Sequence, residues 1–136
     1  MSTLSNTGKW NIALWAAQVL LALVYLMAGI MKITQPIDAL VASGMGYAGD
    51  FPALLTRFIG SVEVLGAIGI ILPALTRILP RLTPLAALGF AAIQVLAFAL
   101  HLTRGEFAIL PVNLILLAVA LFVFWGRTRK APITPR

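Results

Sequence analysis

Four apolar runs, each close to the ~20 residues that cross ~30 Å of hydrocarbon, leave this chain of 136 residues little choice of fold. They extend from about Asn11 to Thr34, Pro52 to Leu75, Thr83 to Thr103 and Phe107 to Gly126. Lipid supplies no water to satisfy a bare N–H or C=O, so runs of this length must close their hydrogen bonds internally, as helices. The expected fold class is therefore all-α, an integral membrane four-helix bundle. Charge content agrees, since only 10% of residues are charged where soluble domains carry about 25%.

Helix breakers fall between the runs. Pro36 follows the first, and Gly44, Gly46, Gly49 and Asp50 precede Pro52, which suits the opening turn of the second. Pro73, Pro80 and Pro84 bracket a basic link with Arg77 and Arg81, and Gly105 with Glu106 marks the third turn. Ile37, Leu40 and Val41 of the long first connection suit either a plain connector or a short turn on the membrane surface. The chain divides into an N-terminal segment 1–10, a four-span domain 11–126 and a basic, proline-bearing tail 127–136 expected to be disordered. The apolar stretch after Lys9 is too long for a signal-peptide core and lacks a small-x-small cleavage site, so the first span is expected to be retained.

The net charge of +6 does not imply a nucleic-acid partner, because the basic residues sit at the ends of apolar runs, as topology signals do. Lys9, Arg77, Arg81, Arg127, Arg129, Lys130 and Arg136 share the side of both termini, against Lys32, Arg57 and Arg104 on the other. Positive-inside topology then places both termini in the cytoplasm. The absence of cysteine excludes disulfide and thiolate chemistry. With one histidine in the chain, no metal or two-histidine haem site is expected.

Ionisable and amide side chains interrupt the apolar runs. A charge at the centre of a membrane helix costs about 2.5–3.5 kcal/mol, so such residues face a bundle interior or a polar cavity. Gln18, Tyr25 and Lys32 recur every seven residues and form one stripe on the first helix. Thr56, Gly60, Glu63, Ala67 and Ile70 share a face of the second, Gln94 and His101 a face of the third, and Glu106 and Asn113 a face of the fourth. Glu63 lies eleven residues past Pro52, about 16 Å deep, and Gln94 reaches a similar depth from the opposite side, so the two are expected to be partners. Lys32, His101, Asn113 and Arg57 collect in the outer half. The expected interior is an outward-opening polar pocket with a carboxyl at its floor. Glu63 and His101 are the candidate acid–base residues, and Gln18, Tyr25, Lys32, Arg57, Gln94 and Asn113 the candidate ligand contacts. Each also has a structural alternative: interhelical hydrogen bonding for the amides and Glu63, and snorkelling to the headgroups for Lys32 and Arg57.

Several stretches resemble the DoxX family. They are Ala28-Gly29-Ile30-Met31-Lys32-Ile33-Thr34-Gln35-Pro36, Arg57-Phe58-Ile59-Gly60 with Glu63-Val64-Leu65-Gly66-Ala67-Ile68-Gly69 and Leu72-Pro73-Ala74, Leu82-Thr83-Pro84-Leu85-Ala86-Ala87, and the corner His101-Leu102 to Arg104-Gly105-Glu106. The likeness runs from about Trp10 to Arg127. It implies a four-helix bacterial inner-membrane protein associated with membrane redox systems. The family takes its name from a thiosulfate:quinone oxidoreductase subunit, and it also includes proteins tied to other complexes and to receptor assembly.

Three functions follow as expectations. The chain is a redox-associated subunit binding a quinone-like or other amphipathic molecule, with any electron carrier supplied from outside it. Alternatively it is a proton-coupled carrier built on Glu63, or a non-catalytic assembly factor whose polar stripes are packing. The expected partners are the lipid bilayer, membrane redox proteins and a second copy of the chain.

Overall fold

The computed structural model describes residues 2–136, with side chains from Thr7 onward. Its helices are α1 (Ser2–Thr34), the short α2 (Ile37–Ala42), α3 (Ala53–Thr76), α4 (Leu82–Thr103) and α5 (Leu110–Trp125). Four segments, Thr7–Thr34, Ala53–Thr76, Leu82–Thr103 and Phe107–Lys130, are long and apolar enough to cross a membrane. No strand occurs among the described residues. The protein is a multi-pass all-α membrane bundle.

Around the bundle α1 neighbours α3 and α5, and α4 neighbours α3 and α5. The first connection and the α4–α5 corner lie at one end, called here the loop end. The chain termini and the α3–α4 link lie at the other, the termini end. A core of Leu21, Tyr25, Ile70, Phe90, Ala120 and Val123 fills the centre. Polarity is inverted relative to a soluble protein: Gln18 is 0% exposed and Glu63 3%, while Leu54 is 79% and Leu96 70%. Lipid solvates leucine at no cost and leaves an amide or carboxyl unsatisfied, so the polar groups turn inward.

One proline position differs from the sequence expectation. Pro73 does not end a helix; α3 runs through it to Thr76. A proline has no N–H for the carbonyl four residues back, here Gly69. The Thr83 hydroxyl of α4 donates to that Gly69 oxygen at 3.3 Å, and Gln18 Nε2 donates to the Ile70 oxygen beside it at 2.8 Å. Pro111 lies in the opening turn of α5, behind a 3-10 turn at Phe107–Ile109, where no intrahelical donor is required of it.

The tail is not the expected disordered strand. Gly126–Lys130 continues α5 as a wide π turn. Residues 131–136 fold back over the termini end, where Arg77 Nε donates to the Thr134 oxygen at 2.8 Å and the Arg136 amide to the Arg77 oxygen at 3.1 Å.

α1 and α3 cross closely because both carry glycine at the contact. A Cβ on Gly29 would stand 2.7 Å from the Gly60 oxygen, and one on Gly60 would stand 2.7 Å from both the Gly29 oxygen and Lys32 Cβ. Small residues in this register let two backbones touch, and the touch brings Lys32 to Glu63.

Candidate functional site

A cavity of about 430 Å³ occupies the loop-end half of the bundle. Val24, Ala28, Ile93, Leu96 and Leu100 form its apolar wall. Its polar wall is Tyr25, Lys32, Glu63, Gln94, His101 and Asn113, and Tyr47 of the first connection closes the end. Six of the eight side chains singled out from the sequence therefore meet at one place.

The floor is an ion pair. Lys32 Nζ donates to Glu63 Oε1 at 2.6 Å, with both side chains nearly inaccessible. The snorkelling alternative for Lys32 does not hold: the side chain turns inward, where Glu63 lies within reach across the glycine contact. Glu63 thus has its counter-ion within the chain, from a neighbouring helix. The Tyr47 hydroxyl sits beside the same ammonium.

The expected Glu63–Gln94 partnership is also corrected. Gln94 instead links Asn113 to Tyr25. Asn113 Nδ2 donates to Gln94 Oε1 at 2.8 Å, and Gln94 Nε2 donates to the Tyr25 hydroxyl oxygen. The Tyr25 ring lies flat on Phe90, 3.8 Å between centroids and 4° from parallel, which holds its hydroxyl in place. Since the hydroxyl oxygen accepts from Gln94, its proton is free to be donated. At the other end of the chain, Asn113 Oδ1 is buried and has no partner.

His101 enters from the last turn of α4. Its Nδ1 lies 2.9 Å from Glu106 Oε1, and its ring meets Tyr47 edge-on at 6.1 Å. An ionised carboxylate only accepts, so Nδ1 carries the proton, and whenever the ring is neutral Nε2 is an acceptor. Arg104 Nε donates to the same Glu106 oxygen at 3.1 Å, and Arg104 Nη1 pairs with Asp50 of the first connection. These contacts tie the connection over the cavity to the α4–α5 corner. The Asp50 hydrogen bond, supported by Glu106, raises the pKa of Arg104. The hydrogen bond from His101, reinforced by Arg104, holds the Glu106 carboxyl below the usual carboxylate range.

That shift sets an acid limit. A depressed carboxyl contributes stability that is whole above its ordinary value of 4.5 and gone once pH has fallen through the lowered one. The melting-temperature difference between the native chain and Glu106→Gln in detergent is expected to stay level from neutral pH to about pH 4.5 and to vanish below. A difference unchanged throughout that acid range would rule the network out as a tie.

Gln18 and Arg57 lie outside the cavity. Gln18 shares the buried face of Tyr25 and Lys32, but it sits in the termini-end half, where it donates to Ile70 and accepts from Arg127 Nε at 2.7 Å. Arg57 does not snorkel to headgroups; its Nη1 donates to the Lys32 and Gln35 oxygens at 2.8 and 2.5 Å. It thereby satisfies carbonyls left over at the end of α1, where a cation is favoured. Two residues were missed. Tyr47 lies in a connection where no periodicity marks a face. Arg127 is 4% exposed and lies in the π turn that continues α5. The seven-residue stripe of α1 begins one step earlier than noted, at Asn11, and that polar position was the available sign of a partner for Arg127.

Residues 16–123 match the DoxX-like family. The chain belongs to that family. No curated protein and no solved structure gives a match. In this DoxX-like chain the matched region contains every polar residue of the cavity wall, and it leaves out Asn11, Arg127 and the folded-back tail.

Proposed function

We propose that this DoxX-like protein is a redox-associated membrane subunit that holds an amphipathic small molecule of quinone or quinol type in the loop-end cavity. The volume lies within the ~300–1,000 Å³ of small-molecule sites, and the wall is the usual mixture of apolar surface with a few convergent polar groups. One observation carries the reading: Asn113 Oδ1 is buried against the cavity with no donor. Leaving such an acceptor unsatisfied costs about 1–3 kcal/mol, so the site calls for a ligand that donates a hydrogen bond. Tyr25 offers a free hydroxyl proton in return. The matching head group therefore both donates and accepts, as a hydroxylated ring does, with its apolar part against Val24, Leu96 and Leu100.

In this reading Tyr25 and Asn113 orient the ring oxygens. Lys32 and Glu63 hold a proton-exchanging pair at the floor, and His101 Nε2 is a second acceptor near the loop end. Electrons pass to or from a partner, since the side chains supply no carrier. The internal Lys32 counter-ion weighs against a carrier exchanging a proton at Glu63 for a cationic substrate.

A short-chain quinol is expected to raise the melting temperature of the detergent-purified protein saturably. Asn113→Leu is expected to weaken that effect about tenfold, as loss of one buried hydrogen bond does. Lipid extracts of the purified protein are expected to contain a quinone by chromatography. With no quinone in the extract and no thermal shift from quinol or quinone, the binding reading fails and a scaffold role stands.

A further inference from the structure

The termini end holds a second polar centre that the cavity does not use. Arg127 is buried, and its hydrogen bonds go only to neutral groups: Nε to Gln18 Oε1 at 2.7 Å, Nη1 to Asn11 Oδ1 at 2.8 Å and to the Ala131 oxygen at 2.9 Å. Its Nη2 is buried and has no partner. The Trp15 ring lies 5.7 Å from the guanidinium carbon. Among the described residues no carboxylate pairs with Arg127. None is near in sequence terms either: the four acids are Asp38, Asp50, Glu63 and Glu106, three at the loop end and one at the cavity floor. A guanidinium removed from water without a counter-charge is costly, so the site favours an anion.

Arg127 is shared by two hollows. One, of about 430 Å³, is lined by Gly8, Asn11, Trp15 and Arg77; the other, of about 540 Å³, by Arg81, Thr128 and Pro135. The segment 131–133 stands between them. It is held to the guanidinium by the Nη1 bond to Ala131, and the unpartnered Nη2 lies on the same group. A planar guanidinium with a spare N–H, and a second arginine on the wall of the same hollow, suit the oxygens of a phosphate.

We propose that Arg127 is the centre of an oxyanion site at the termini end, taking a phosphate group either from an anionic lipid headgroup of the adjoining leaflet or from free phosphate. It is separate from the loop-end cavity, and neither site depends on the other's ligand.

Trp15 reports on it. In the full-length chain carrying Trp10→Phe and Trp125→Phe, Trp15 fluorescence is titrated with dihexanoyl phosphatidylglycerol and, separately, with inorganic phosphate. A saturable change is expected, about tenfold weaker in Arg127→Gln and unaltered in Arg129→Gln, which removes an equal but exposed charge. Saturation by inorganic phosphate assigns a free phosphate; saturation by phosphatidylglycerol alone assigns the lipid. Should Arg127→Gln fail to fold, Arg127→Lys carries the comparison, because it keeps the charge and loses the fork, and it too is expected to bind more weakly than the parent. No saturable change with either ligand, or equal weakening by the Arg127 and Arg129 variants, overturns the proposal.

Discussion

Glu63→Ala is expected to destabilise the bundle by about 3–5 kcal/mol, because it leaves the buried Lys32 ammonium without its counter-charge. Lys32 is 7% exposed and Glu63 3%, and the 2.6 Å contact between them is the pair that neutralises both. The loss should appear in SDS titration of the detergent-purified protein. Replacing both partners together, Lys32→Met with Glu63→Leu, is expected to bring stability back to within about 1 kcal/mol of the native chain, since no charge is then buried at the cavity floor. This contrast separates an ion pair that fills a structural need from one of marginal weight. If Glu63→Ala alone were as stable as the native chain, the pair would have to be solvated, and the floor of the cavity would not be the closed surface described above.

Gly60→Ala is the second large effect. One methyl group would lie 2.7 Å from the Gly29 carbonyl oxygen and 2.7 Å from Lys32 Cβ. Backbone cannot swing aside as a flexible side chain can, so α1 and α3 must separate along the crossing. Overpacking of this kind costs about 1–3 kcal/mol. Because one clashing atom belongs to Lys32, the ion pair is strained by the same change, and on the proposed reading quinol binding weakens along with stability. Gly89 of α4 is the control, for a Cβ there meets nothing within 4 Å. Gly89→Ala is expected to gain about 0.5–1 kcal/mol from the lower entropy of the unfolded chain. Equal responses at the two positions would show that helix propensity, and not contact, governs Gly60.

The sequence carried more of the fold than of the site. Span number, helical state and connection positions followed from the length of the apolar runs and the placing of proline and glycine. The inward face of α1 was legible too, because Gln18, Tyr25 and Lys32 repeat at nearly two helical turns. Partners were less legible. Glu63 and Gln94 match in depth, yet depth says nothing of rotation about the helix axis. Glu63 is turned to Lys32, and Gln94 to Tyr25 and Asn113. Pro73 looked like a terminator, because the hydroxyl that compensates it, Thr83, belongs to another helix. Arg127 looked like one more basic tail residue, since its burial depends on a chain reversal after Lys130 and on Asn11 and Gln18 more than a hundred positions away in the chain.

From its residues alone this chain had to be a membrane bundle of α-helices with polar groups inside. Those outcomes follow from terms each segment settles for itself: transfer of side chains into lipid, and closure of backbone hydrogen bonds along one helix. Tertiary structure decided which polar groups meet, dividing them into the Lys32–Glu63 cavity at the loop end and the Arg127 centre at the termini end. Those outcomes depend on the rotation and offset of one helix against another, which the Gly29–Gly60 contact and the interlocking hydrogen bonds establish only once the helices are packed.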